Sequence, residues 1–101
     1  MEVKKSQCGG KTTFVLSGRL DANASPDFQA ELIPVFEDSN FVELDFTDLT
    51  YVSSAGLRVL LLGEKTAKNK GAVMSLRNVS QEVKEIFDMT GFSDILNIVI
   101  A

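Results

Sequence analysis

Two periodicities alternate along this chain, and that alternation limits the fold more than any other feature. Apolar side chains at every second position mark strands; apolar side chains three and four apart mark helices. Residues 2–8 read as a weak first strand. Gly9-Gly10 then reads as a tight hairpin turn, because paired glycines supply positive φ without steric cost. Residues 11–20 make a better strand, with Phe14 and Leu16 on one face and Thr13, Val15 and Ser17 on the other. From there helices and strands take turns. Residues 25–37 are predicted helical, with Phe28, Leu32, Val35 and Phe36 as the buried stripe. Pro34 lies inside that stripe and should kink the helix or begin a separate short turn, since it lacks an N–H. Residues 41–46 form the third strand, 54–70 a second helix stopped by Gly71, 72–77 the fourth strand, and 81–89 a third helix stopped by Gly91. Residues 95–100 read mainly as a short terminal strand, with a last helical turn as the alternative.

The resulting order, β-β-α-β-α-β-α-β, predicts one α/β domain over residues 1–101. It has a mixed, mostly parallel sheet of four to five strands, joined by right-handed crossovers. Glu43 and Asp45 on the third strand leave one sheet face partly open to water, so the helices belong mainly on the other. If strands two, three and four run parallel, their carboxyl ends share one edge, the usual place for function in open α/β sheets. Three loops are expected to meet there: 21–25, 52–56 and 78–80. Each carries small polar residues at a helix start, with Asp21, Asn23 and Ser25 as candidate caps for the first helix and Asn78 or Ser80 for the third.

Composition removes several kinds of chemistry. The chain has no histidine, which takes away the commonest general base and metal ligand. Cys8 is its one cysteine, so no intrachain disulfide forms, and no zinc site can be built from the remaining residue types. The net charge of −4, with no basic stripe, argues against a nucleic-acid partner. No apolar run approaches a membrane span, and the first residues lack the core of a signal peptide. A cytoplasmic protein without a cofactor is expected.

The middle loop stands out. Asp48-Leu49-Thr50-Tyr51-Val52-Ser53-Ser54-Ala55-Gly56-Leu57 passes from strand to helix through two hydroxyls and a glycine. One serine would suffice as a cap. Gly56 just inside a helix costs roughly 1 kcal/mol relative to alanine, so something should approach the helix start closely; a phosphoryl group would be favoured there by the free N–H groups and the dipole. The hydrolase elbow Gly-x-Ser-x-Gly does not match, and neither does a phosphate-binding Gly-rich loop with its lysine. A serine without an activating base is a poor nucleophile, so the chain is not expected to be an enzyme. Such a serine can still be the substrate of a kinase.

This stretch resembles the signature of the STAS domain, specifically of the bacterial anti-sigma factor antagonists. Gly18-Arg19-Leu20-Asp21 is similar to the family's second characteristic stretch, and Ile86-Phe87-Asp88-Met89-Thr90-Gly91 to its C-terminal part. The resemblance implies a partner switch. The unphosphorylated antagonist binds an anti-sigma factor, a serine kinase with a histidine-kinase-like ATPase fold, and so releases a sigma factor. The kinase phosphorylates a conserved serine, and a PP2C-type phosphatase reverses this. Aligned on Gly56-Leu57, that serine is Ser54, with the adjacent Ser53 as the alternative, standing where many members carry Asp. The implied partner surface holds Asp21, Asn23, Ser53, Ser54, Gly56 and Arg58 on a monomer. Alternatives are another partner-switching pathway (secretion, cyclase or signalling-complex control), a nucleotide-binding module using the same helix starts, or a purely structural scaffold.

Overall fold

A computed structural model describes residues 1–99. The strands are β1 (Glu2–Cys8), β2 (Lys11–Leu20), β3 (Phe41–Val52) and β4 (Val73–Arg77); the helices are α1 (Ser25–Leu32), α2 (Ser54–Lys70) and α3 (Gln81–Thr90). The sheet order follows the chain, β1-β2-β3-β4. β1 pairs antiparallel with β2, while β2, β3 and β4 run parallel. All three helices cover one face. Phe28 of α1 meets Phe14 edge to face, with ring centroids 5.8 Å apart. Gly63 of α2 lies over β4, where an added Cβ would come within 2.9 Å of Met74 Sδ and of Leu32 Cδ2. Phe87 of α3 packs on Phe46 at 6.3 Å. The core is therefore a single layer between sheet and helices, which is the α/β architecture read from the sequence.

The break expected at Pro34 is present, and two other boundaries differ from expectation. The first helix splits, with α1 ending at Leu32 and a 3-10 turn following over Ile33–Glu37. Pro34 has no N–H to continue the α-helical ladder, and Val35 and Phe36 still reach the core from the tighter turn. The third strand runs well past Phe46, to Val52. Its register against β2 slips between Val15 and Ser17 and again between Gly18 and Arg19. Each slip leaves an unmatched stretch in β3, so the inward residues fall at Phe46, Leu49 and Val52, a spacing of three that matches neither periodicity. Side chains take over the local bonding there: Thr47 donates its amide and hydroxyl to Asp45 Oδ1, and Thr50 Oγ1 donates to the Gly18 carbonyl. The last strand shrinks to one parallel bridge between Leu76 and Ile98, after a 3-10 turn at Phe92–Asp94. Leu96 turns inward ahead of it; Ile100, also placed in that strand, lies outside the described residues.

The face without helices is polar, and one carboxylate organises it. Glu43 is 7% exposed and bridges Lys11 on β2 (2.9 Å) and Arg77 on β4 (3.1 Å). The Lys11 ammonium, with Arg77 adding to it, holds the Glu43 carboxyl below its ordinary range against the opposing effect of burial. Glu64 on the helix side is the reverse case. It is 8% exposed and its Oε1 has no partner among the described residues. Burial pushes its carboxyl up, with Lys68 opposing weakly.

The two glutamates should give opposite pH signatures in equilibrium unfolding. Glu43 is depressed in the fold, so its contribution is present above the ordinary glutamate pKa and disappears as pH falls through its lowered value. Glu43→Gln should lose about 1–2 kcal/mol at pH 7 and approach wild type in acid. Glu64 is raised, so ionising it costs stability as pH climbs from its ordinary value through its raised one. Glu64→Met should gain about 1 kcal/mol at neutral pH and nothing in acid. A pH-independent difference for either variant would contradict these assignments.

Candidate functional site

The carboxyl ends of β2 and β3 lie side by side, with Leu20 opposite Val52. Their two loops are tied together by the Ser53 amide, which donates to the Leu20 carbonyl at 2.9 Å. In the first loop Asp21 is the organising residue. Its Oδ1 accepts from the Asn23 and Ala24 amides, and its carbonyl accepts from both the amide and the hydroxyl of Ser25. This short polar turn delivers the chain to α1 with Asn23 exposed.

In the second loop the two serines divide the work. Ser53 is the cap of α2: its backbone is extended (φ −84°, ψ 174°), its Oγ accepts from the Gly56 amide at 3.2 Å, and its carbonyl accepts from the Leu57 amide. Ser54 is the first residue of the helix, exposed, and its hydroxyl makes no hydrogen bond to the described residues. Gly56, expected at the partner surface, is buried. A Cβ on it would fall 2.7 Å from the Leu20 carbonyl oxygen, 2.8 Å from Leu20 Cγ and 3.0 Å from Val52 Cγ1. The close approach expected at this glycine is thus made by the chain's own β2.

Arg58 stands one turn further along α2. It is exposed and forms no ion pair among the described residues. It lines a shallow groove of about 290 Å³ between α1 and α2, together with Ala22, Ser25, Pro26, Gln29, Ala55 and Val59. Arg58 is the one charged residue in that lining. On the other side of the first loop, Asp21, Asn23, Asp27 and Glu31 border a second hollow closed by Met1 and Val3.

The third loop does not join the other two. Ser80 caps α3 through the Val83 amide, as anticipated for that position. Asn78, however, adopts φ +57° and donates to Asp45 Oδ1. β4 stops at Arg77, opposite Asp45, while β3 continues to Val52. That continuation is roughly 20 Å of strand, so the candidate edge consists of two loops where three were expected. A further feature lies between the strands that carry the two loops: the Arg19 guanidinium stacks on the Tyr51 ring at 4.3 Å, just before them. Its signal was Gly18, whose φ of +94° accompanies the register slip that brings Arg19 opposite Tyr51. Pairing across strands is needed to see it.

Among the described residues no cluster of side chains could hold a metal ion, and no helix is long and apolar enough to cross a membrane. What the edge offers is an accessible hydroxyl at a helix start, flanked by a carboxylate turn and an uncompensated arginine. The chain is a small α/β module. The model of the STAS domain family matches residues 2–99. The anti-sigma-B factor antagonist of Bacillus subtilis (strain 168) is 30% identical over 82% of this chain and 76% of its own length. The unphosphorylated form of the anti-sigma factor antagonist SpoIIAA superposes with a TM-score of 0.84 at 17% identity, over 98% of this chain and 89% of that one. Its phosphorylated form, from Bacillus, gives 0.77 at 16% identity, over 98% and 92%. A sulfate transporter family protein from Wolinella succinogenes also gives 0.77, at 16% identity, over 87% and 72%. The chain belongs to the STAS domain family, and the curated relative shares the anti-sigma factor antagonist description.

The tightness of the Gly56 contact has a measurable consequence. Alanine would gain about 1 kcal/mol in helix propensity, but its methyl group would press on the Leu20 backbone, where overpacking costs about 1–3 kcal/mol. Gly56→Ala should therefore be net neutral to destabilising in chemical denaturation, and Gly56→Val clearly destabilising. A stabilised Gly56→Ala would show that β2 can yield.

Proposed function

We propose that this chain is a phosphorylation-controlled protein-binding switch, a substrate of kinases and not itself an enzyme. Unphosphorylated, it binds an anti-sigma factor that is a serine kinase of histidine-kinase-like ATPase fold, and so releases a sigma factor. The kinase transfers the γ-phosphoryl group of ATP to Ser54 Oγ, which loses its proton as ADP leaves. A PP2C-type phosphatase returns the hydroxyl. On this reading the chain works as a cytoplasmic monomer. Asp21, Asn23, Ser53, Ser54 and Arg58 meet the partner, and Gly56 shapes that surface from beneath.

The observation that carries the reading is the unequal state of two neighbouring hydroxyls. Ser53 Oγ is committed to the Gly56 amide, whereas Ser54 is exposed and uncommitted. A phosphoryl group on Ser53 would have to be built on an oxygen already placed against the Gly56 amide; one on Ser54 leaves that contact untouched. The position is also electrostatically tolerant of an anion, because the first-turn N–H groups and the helix dipole favour negative charge. Loss of binding then comes from repulsion and misfit at the partner surface, with little refolding.

Intact-mass analysis after incubation with a candidate kinase and ATP should show a gain of about 80 Da, one phosphate, mapped to Ser54. Ser54→Ala should abolish the gain yet keep binding, and Ser54→Asp should weaken binding. Ser53→Ala should still accept phosphate while losing about 1 kcal/mol of stability with its cap. Phosphate found on Ser53, or wild-type binding by both Ser54 variants, would overturn the assignment. Nucleotide binding at the same helix starts, seen by titration calorimetry without any phosphorylation, would favour a ligand-binding module instead.

A further inference from the structure

We infer that Arg58 is a built-in receptor for the phosphoryl group on Ser54, so that phosphorylation closes an ion pair within α2. This rests on the Ser54 assignment above and adds what happens to the phosphate once it is there. Ser54 and Arg58 are four residues apart on one helix, which brings their side chains onto the same face, with Cβ atoms about 6 Å apart. Both are exposed. The anion comes first and the cation second along the chain, the favourable order for an i,i+4 pair. A guanidinium can hold two phosphate oxygens at once through its planar fork.

The resting state of Arg58 makes the inference specific. Its cation lies near the positive end of α2, where the dipole gives it no stabilisation, and no carboxylate among the described residues compensates it. Lys84, by contrast, is paired with Asp88 one turn along α3. Ser53 has no equivalent option, because the residue four positions on is the buried Leu57. Arg58 also lines the groove between α1 and α2 as its one charged residue. A phosphate of about −1.5 to −2 charges drawn onto that arginine turns the groove from positive to negative. A partner carboxylate that could use Arg58 in the resting form would lose its cation and meet an anion.

The test needs no kinase and no partner. Phosphoserine is placed at position 54 of the full chain by genetic encoding, and the phosphate is titrated by phosphorus NMR at low salt. The free phosphate monoester titrates near pH 6, and with no histidine in the chain no imidazole titrates beside it. Asp21 in the neighbouring loop, Arg19 before it, and Glu64 and Lys68 further along α2 are common to every variant compared. The wild-type phosphate should titrate about half a pH unit below that of Arg58→Gln, with Arg58→Lys between them. The difference should vanish in about 1 M salt. Equal titration in wild type and Arg58→Gln would overturn the inference, as would a difference that salt leaves intact. Failure of a kinase to modify Ser54 would instead strike the functional reading and leave this measurement standing.

Discussion

The edge that carries the candidate site hangs on the Leu20 carbonyl. It accepts the Ser53 amide, and it lies against Gly56, a first-turn position of α2 that has no Cβ. Those two contacts clamp the start of α2 to the end of β2 as well as to the end of β3, from which the helix directly continues. A strand-to-helix turn held by only one strand would leave the helix free to pivot about the turn. Held by two, it has a fixed direction, and with it a fixed outward face. Ser54 and Arg58 are on that face because Leu57 and Leu60 must be on the other.

The length of β3 decides which loops cooperate. Three parallel strands with their carboxyl ends at one edge would suggest a broad site, but β4 ends opposite Asp45 and leaves the far half of β3 paired to β2 alone. The extension is tolerated because bulges and side chains bond what no neighbouring strand does, with Thr47 turned onto Asp45 and Thr50 onto Gly18. Asp45 itself would be raised by burial, yet the Thr47 hydroxyl and amide, Asn78 and Arg77 together hold it below the ordinary carboxylate range. It serves as the anchor where β4 leaves off. The Arg19–Tyr51 stack joins β2 to β3 within that extension.

The strands and helices that obey one periodicity could be read from the sequence. α2 begins at Ser54 and ends at Lys70 as its leucines and Gly71 indicate. The break at Pro34 follows from a missing N–H. What could not be read was anything set by register. The end of β3 was hidden because Phe46, Leu49 and Val52 point inward at intervals of three. The six-residue tail was ambiguous because apolar side chains without a clear period fit a strand or a turn equally well. At the site, the loop and its two serines were legible, and so was the anomaly of Gly56. The cause of that anomaly was not, because it depends on a carbonyl thirty-odd positions earlier in the chain. The division between a capping and an uncommitted serine was likewise a matter of one backbone geometry, invisible in two identical letters.

A helix start is an economical place for a reversible charge, for reasons visible in this edge. Adding an anion inside the sheet or at a helix end would set it against buried apolar groups or the negative pole of the dipole, and the fold would have to move. At the first turn of α2 the local field already favours negative charge. The capping hydroxyl is supplied by a different residue, so the helix does not depend on the group that would be modified. On the functional reading proposed above, information is then carried by the surface potential of a rigid domain, and the partner supplies the response. The acidic excess of the chain works in the same direction. Against a background of −4, Arg58 is the one charged residue lining the α1–α2 groove, and neutralising it would remove the positive charge from that groove.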